Sequence, residues 1–243
     1  MADYGHDLLF GSFLTPRHDA IPRLVHTAQE AERVGLDLVS GGRMELALGA
    51  GGYWDAISAY GGTRLTPGQS LAALSEAIDI IRALWDVSDR SMVNIQGEHY
   101  RVVGAKRGPA PAHPIPIWVG GYKPRMLRLI GAKADGWLPS IWNNSLDAVP
   151  ADNGEIDDAA RAAGRDPKEI RRLVNVQGKL TSSPRGLLVG PPDMWVDQLA
   201  MMAMEHGFSA FILAGDDTSA YDVIGQEIVP AVREIVAQER AAR

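Results

Sequence analysis

The sequence predicts an α/β fold, a TIM-like (β/α) barrel that is incomplete, and three observations carry that prediction. Short apolar runs alternate with helical patterns almost from end to end, which is the order of β-α-β units and a parallel sheet. The 243 residues, 46% of them hydrophobic, suffice for one core, and ~250 residues is typical of a single parallel barrel. About seven strand-like runs can be counted where eight close a standard barrel. Residues 1–243 are therefore expected to form one domain.

In chain order, Leu8 to Phe13 reads as the first strand. After Pro16 a helix is expected, with Ile21, Leu24, Val25, Ala28 and Ala31 at helical spacing until Gly35. Leu36 to Val39 and Met44 to Gly49 read as the next two strands. Thr66-Pro67-Gly68-Gln69 then places a capping hydroxyl, a first-position proline and a third-position glutamine ahead of Leu71, Leu74, Ile78, Ile81 and Leu84. Met92 to Ile95 and His99 to Val103, joined by Gln96-Gly97-Glu98, predict a hairpin that decorates the barrel. Ile115 to Val119, Gly136 to Leu138, Arg171 to Gly178 and Ser209 to Leu213 supply four more strands. Helices are expected near 124–133, 152–163, 192–206 and 221–239, with Gly164 and Gly207 at left-handed helix ends.

Composition narrows the function classes. A formal net charge of −6 and a pI near 5.5 disfavour nucleic acid and anionic membrane surfaces, which need a basic face. Small-molecule partners fit better. The absence of cysteine excludes disulfides, thiolate metal sites and cysteine nucleophiles. No His, Asp and Glu grouping has metal-ligand spacing, and neither a phosphate-cradling Gly-Lys-Ser/Thr loop nor a Gly-x-Ser-x-Gly elbow is present. Met1 to Leu8 carries Asp3 and Asp7 rather than a basic region and an apolar run, so a cytoplasmic protein is expected.

The missing strand can be located. Only Ser40, Gly41, Gly42 and Arg43 separate Val39 from Met44, whereas a parallel crossover needs about a dozen residues or more. The flanking runs form a hairpin, or run as one bent strand, or a segment is absent between them.

The run Ser40-Gly41-Gly42-Arg43-Met44-Glu45-Leu46-Ala47-Leu48-Gly49-Ala50-Gly51 resembles the SGGR-ELGLGAG segment of the luciferase-like monooxygenases. The likeness continues through Gly108-Pro109-Ala110-Pro111, Pro116-Ile117-Trp118-Val119-Gly120-Gly121, Pro124-Arg125-Met126-Leu127 and Ala134-Asp135-Gly136-Trp137. It extends to Gly190-Pro191-Pro192 and Glu205-His206-Gly207-Phe208, and is closest to the branch that uses the deazaflavin coenzyme F420. The resemblance implies an oxidoreductase that transfers hydride between bound F420, or alternatively FMN, and a small organic substrate, with monooxygenase chemistry as one form. It also implies that the third-strand region of the family barrel is absent here, together with the active-site segment that follows the second strand. That departure opens an alternative: a catalytically inactive flavin-binding or structural protein with a truncated barrel. Strand edges left open beside the gap would invite pairing, so a homodimer is expected.

Ligands of such barrels sit at the carboxyl ends of the strands. Gly120 and Gly121 follow one strand and open the helix containing Arg125; glycines permit close backbone approach and a helix start offers unpaired N–H groups. The resemblance assigns this turn to the cofactor phosphate, with Lys123 or Arg125 as counter-charge. Gly49, Ala50, Gly51 and Gly52 end another strand, where small residues leave room for a flat ring and Asp55 is placed to reach a polar group; a tight turn explains the glycines as well. Sugar-phosphate dehydrogenases of the deazaflavin branch carry a glutamate where this chain has Gly52. His18, just beyond the first strand, is the one candidate proton donor or acceptor, the plainer reading being an exposed loop histidine. Trp137 is expected in the core, His206 at a helix end where it complements the dipole, and His113 on a loop surface.

Overall fold

A computed structural model describes residues 2–13, 21–38, 45–111, 113–214 and 218–243. Its elements in chain order are β1 (Leu9–Phe13), α1 (Ile21–Arg33), β2 (Leu46–Leu48), α2 (Trp54–Ala59), α3 (Pro67–Trp85), β3 (Val93–Gln96), β4 (Arg101–Ala105), β5 (Ile117–Val119), α4 (Pro124–Lys133) and β6 (Gly136–Trp137). There follow α5 (Val149–Ala162), β7 (Arg171–Val176), β8 (Lys179–Leu180), β9 (Val189–Gly190), α6 (Pro192–His206), β10 (Ala210–Ala214), α7 (Tyr221–Val223) and, after a π-helical turn at Ile224–Ile228, α8 (Val229–Ala241). Two compact units result. Met1–Arg43, Leu138–Gly154 and Arg171–Arg243 contribute to the first, Met44–Trp137 and Glu155–Ile170 to the second.

In the first unit β10 lies between β1 and β7, and both pairings are parallel. The strand Ala-Phe-Ile-Leu-Ala at 210–214 is apolar throughout because it is central and covered on both faces. Phe10 stacks on Phe211 with ring centroids 5.5 Å apart. In the same unit Arg172, fully buried, donates from Nε to Asn153 Oδ1 (2.8 Å) and lies over the Tyr4 ring at 4.3 Å. The same Asn153 donates to the carbonyl of His206, which together with left-handed Gly207 (φ 79°) closes α6 as the sequence anticipates. Arg240 forks onto Asp3 with two bonds of 2.8 Å, tying the start of the chain to its last helix.

Two strand expectations in this unit need correction. The run 36–39 is not a strand over its described residues: it makes one parallel bridge, Leu38 to Gly11. The N–H groups of Asp37 and Leu38 converge on the single carbonyl of Phe10 (2.7 and 3.1 Å), and the Asp37 carboxylate accepts the Phe10 N–H (2.8 Å), so a regular ladder cannot start. The run to Gly178 stops at Val176, after which Lys179–Leu180 leaves to pair in parallel with Val189–Gly190. The linker at Ser40 to Arg43 and the candidate His18 lie outside the described residues.

In the second unit β5 lies between β2 and β6, again in parallel. The anticipated cap forms: Thr66 Oγ1 accepts the Gln69 N–H (3.3 Å) while Gln69 Oε1 accepts the Thr66 N–H (3.0 Å), with Pro67 at the first position. Ile78, Ile117, Ile130 and Trp137 are fully buried here, each such side chain contributing roughly 1.5–3 kcal/mol by leaving water. Asp135 holds the layers together: its carboxylate accepts the Ile117 N–H (2.8 Å) and the Arg82 guanidinium (2.9 Å). The antiparallel β3–β4 hairpin is present, with a longer loop than Gln96-Gly97-Glu98. The cause is Glu76 on α3, whose carboxylate accepts the N–H groups of Glu98, His99 and Tyr100 (2.8, 3.0 and 2.9 Å) and draws them out of the ladder. Helix α5 starts at Val149, before the expected 152, because Pro150 is tolerated in a first helical turn. Helix α2 and the β8–β9 pair were not expected. No helix among the described residues is long and apolar enough to cross a membrane.

Candidate functional site

The parallel register of β2 and β5 sets Leu46 beside Ile117 and Leu48 beside Val119. The chain therefore leaves both strands side by side at their carboxyl ends, through Gly49-Ala50-Gly51 and Gly120-Gly121, and the Gly120 N–H donates to the Leu48 carbonyl (3.0 Å). Two of these glycines are required by conformation. Gly51 has φ +89° and Gly121 φ +146°, regions an L side chain avoids. A Cβ on Gly121 would also stand 2.6 Å from Met126 Cγ. The Gly121 carbonyl is fixed by the buried indole of Trp137, whose Nε1 donates to it at 2.7 Å.

The Gly121 turn runs straight into α4. Lys123 is its N-cap residue and makes no side-chain cap, while Pro124 occupies the first position and carries no N–H. Among the described residues, no backbone carbonyl accepts the N–H groups of Gly121, Tyr122 or Lys123. A helix start with free donors attracts anions, through both hydrogen bonding and the dipole.

Around this turn lies a cavity of about 930 Å³, bounded by Ala50, Gly51 and Trp54 on one side, by Arg64 to Pro67, Ser70 and Leu71 on another, and by Gly120 to Met126 on the third. Its walls are mostly apolar, with Trp54, Leu65, Leu71 and Met126 contributing, as expected of a pocket for an organic ligand. Its charged groups are all cations. Arg64, Lys123 and Arg125 line it without a single carboxylate, and none of the three has an acidic partner among the described residues. In a chain of net charge −6 this concentration of unpaired positive charge focuses a field that favours anionic ligands.

Ser70 is the buried polar group of the cavity, 6% exposed. Its N–H bonds the Thr66 carbonyl (2.8 Å) as α3 requires, but its hydroxyl has no partner. A buried hydroxyl left unsatisfied costs about 1–3 kcal/mol.

Of the residues singled out from the sequence, the structure brings Ala50, Gly51, Gly120, Gly121, Lys123 and Arg125 around one cavity. Gly49 lies just before it, and Asp55 is exposed on the first turn of α2, outside the lining. Trp54, Arg64 and Ser70 were missed. Trp137 is in the core as expected, and it also shapes the turn. His113 lies on a loop with Nδ1 2.9 Å from the Pro114 carbonyl, and among the described residues no cluster of metal-ligating side chains occurs.

Comparison with known proteins agrees with this architecture. Residues 10–183 match the family model described as luciferase-like monooxygenase. The F420-dependent glucose-6-phosphate dehydrogenase of Amycolatopsis mediterranei is 27% identical over 172 residues, 68% of this chain and 48% of that protein. The phthiodiolone/phenolphthiodiolone dimycocerosates ketoreductase of Mycobacterium tuberculosis is 32% identical over 171 residues, 65% of this chain and 40% of that protein. The chain thus spans about half, or less, of the length of these two curated relatives. Among solved structures, an F420-dependent secondary alcohol dehydrogenase in complex with an F420-acetone adduct superposes with a TM-score of 0.79 at 13% identity, over 93% of this chain and 99% of that one. EDTA monooxygenase from Chelativorans gives 0.73 at 12% identity, over 98% and 95%. These likenesses show the fold to be the anticipated α/β, TIM-like barrel in incomplete form. With a family model spanning residues 10–183 of 243, the chain belongs to the luciferase-like monooxygenase family.

Proposed function

We propose that this chain is an oxidoreductase that transfers hydride between a bound F420 deazaflavin, with FMN as the alternative cofactor, and a small organic substrate. The observation that carries the reading is the Gly120 to Lys123 turn, where free backbone N–H groups and two unpaired cations meet an apolar cavity at the carboxyl ends of two parallel strands. Both cofactors combine a flat ring with a phosphate, and this site matches that division. Gly121, Tyr122 and Lys123 offer N–H donors to the phosphate, with Lys123 and Arg125 neutralising it. Gly121 can approach closely because a side chain there would be strained and would collide with Met126. Ala50 and Gly51 leave room for the ring, and Trp54, Leu65 and Leu71 supply its apolar surroundings. When bound, the cofactor supplies the carbon or nitrogen that gives or takes hydride, and the protein's part is to bind, orient and exclude water.

The names of the relatives support F420 as the first choice. The reading includes a homodimer, tested by light scattering, which should report close to twice the chain mass of 26.2 kDa. The activity is tested by following the absorbance of F420, and separately FMN, with a panel of small alcohols, aldehydes and ketones. Steady-state turnover of the cofactor by the 243-residue chain is expected with at least one of them. No turnover with either cofactor across the panel refutes the reading.

A further inference from the structure

The turn between β5 and α4 is held by two anchors, one from each neighbouring strand. On one side the Gly120 N–H donates to the carbonyl of Leu48 at the end of β2 (3.0 Å). On the other the Gly121 carbonyl accepts the indole Nε1–H of Trp137 on β6 (2.7 Å), a side chain that is fully buried. The second anchor follows from the parallel register, in which Trp137 stands beside Val119, two residues before Gly121. Beyond the turn the Lys123 carbonyl accepts the N–H groups of Met126 and Leu127 (2.8 and 3.0 Å), so the chain is fixed again where α4 begins.

Between these points lies the peptide that joins Gly121 to Tyr122. A trans peptide is planar, with its carbonyl and its N–H on opposite edges. Holding the Gly121 carbonyl against the indole therefore also places the Tyr122 N–H, which leaves the turn on the side away from Trp137. That N–H makes no hydrogen bond among the described residues, and Tyr122 lines the cavity whereas Trp137 does not. Glycine at 121 imposes little restraint of its own on this peptide plane, so the orientation depends on the bond. Without the indole N–H the carbonyl would be an unpaired acceptor against the core; it would turn toward water and carry the N–H the opposite way.

We propose that Trp137 is a positioning residue, which through its indole N–H sets the Gly121–Tyr122 peptide so that the turn offers donors, and with them affinity for an anion, to the cavity. It acts through the backbone. The inference rests on the reading of this turn as the phosphate site and deepens it by naming the group that gives the site its sign. Filling the core at this position is a separate role: packing needs the ring, positioning needs the N–H.

The test uses the full 243-residue chain, with inorganic phosphate as the probe in calorimetric titrations at fixed ionic strength and pH. Trp137 is replaced by 3-benzothienylalanine, which keeps the shape of the side chain and carries sulfur in place of the N–H. The isostere should keep the fold and weaken phosphate binding by about five-fold or more, as the loss of an aimed donor would. Ile78→Val, a change in the buried core that does not line the cavity, should lower the urea midpoint and leave phosphate affinity as it was. With the six tyrosines labelled with nitrogen-15, the Tyr122 amide resonance, identified by its loss in Tyr122→Phe, should move on adding phosphate to the unchanged chain and move less in the isostere. Unaltered phosphate affinity in the isostere, equal weakening in Ile78→Val, or a Tyr122 amide indifferent to phosphate in the unchanged chain overturns the proposal. Parallel titrations with F420 and FMN separate the two claims. Phosphate binding that depends on the indole N–H, with no binding of F420 or FMN, supports the role of Trp137 and refutes the cofactor reading. Binding of F420 or FMN that the isostere leaves unchanged refutes the role of Trp137 alone.

Discussion

Replacing Gly121 by alanine tests the site at the position where backbone and function coincide. Two costs are in play. The backbone at φ +146° lies in a region nearly reserved for glycine, and holding another residue there costs of order 1–3 kcal/mol. The new Cβ would also stand 2.6 Å from Met126 Cγ and 3.4 Å from Met126 Cβ. The second contact is ordinary, and the first involves a flexible side chain that can swing about χ1, so the steric cost is the smaller of the two. The variant should therefore lose about 1–3 kcal/mol of stability, with Met126→Ala in the same chain returning little of it. Because the alternative to bearing the strain is to rotate the turn, the free N–H groups of Gly121 to Lys123 should also be displaced. Urea denaturation followed by tryptophan fluorescence gives the stability, and titration with F420 or FMN gives the affinity, expected to fall at least ten-fold. Wild-type stability together with wild-type affinity would refute this role of Gly121, and full rescue by Met126→Ala would show that crowding rather than backbone strain is the cause.

Three further outcomes follow from the same structure. Gly131→Ala should destabilise although it favours helix: the gain is at most ~1 kcal/mol, while the added carbon would overlap the Ile156 carbonyl oxygen and stand 2.8 Å from Ala159 Cβ, an overpacking cost of about 1–3 kcal/mol, so urea midpoints should fall. Trp54→Phe should remove a large part of the tryptophan fluorescence response to a bound cofactor, because Trp54 lines the cavity; an unchanged response would place the ligand elsewhere. Glu76 sets the third outcome. Its partial burial pushes the carboxyl up, the three N–H groups of Tyr100, His99 and Glu98 more than offset this, and the net position is below the ordinary carboxylate value. A lowered folded-state value means the contribution is present above the unfolded value, about 4.3, and is lost as pH falls through the folded one. Glu76→Gln should therefore lower Tm at pH 7, and its gap from wild type should narrow as the medium is acidified below that value; a gap constant with pH would contradict the assignment.

What the sequence made legible follows the strength of local signals. The cap of α3, the glycine end of α6, the hairpin and the parallel order of the longer strands rest on turn chemistry and periodicity, and they are present. Helix α2 and the two-residue strands β8 and β9 are too short for periodicity to register, and the segment at 36–38 is diverted by one carboxylate on one N–H, a contact between residues 27 apart. In the site, glycine turns and flanking cations were readable because they sit next to each other in sequence. Ser70 was not, since a serine at a helical position carries no sign that its hydroxyl will be buried without a partner. Arg64 likewise looks like any exposed arginine until α3 and α4 are brought together. Asp55, close in sequence to the Gly49 turn, is exposed on the first turn of α2 and lies outside the lining.

The cavity between the Gly51 turn, the start of α3 and the Gly121 turn is proposed to hold a phosphorylated flavin-type cofactor. Titration of the 243-residue chain with F420 and with FMN, following its six tryptophans, tests it most directly. Saturable binding of one cofactor per chain, F420 first, is expected, weakened at least ten-fold when Lys123 and Arg125 are both changed to glutamine. No saturable response to either cofactor, or a response indifferent to that double substitution, would contradict it.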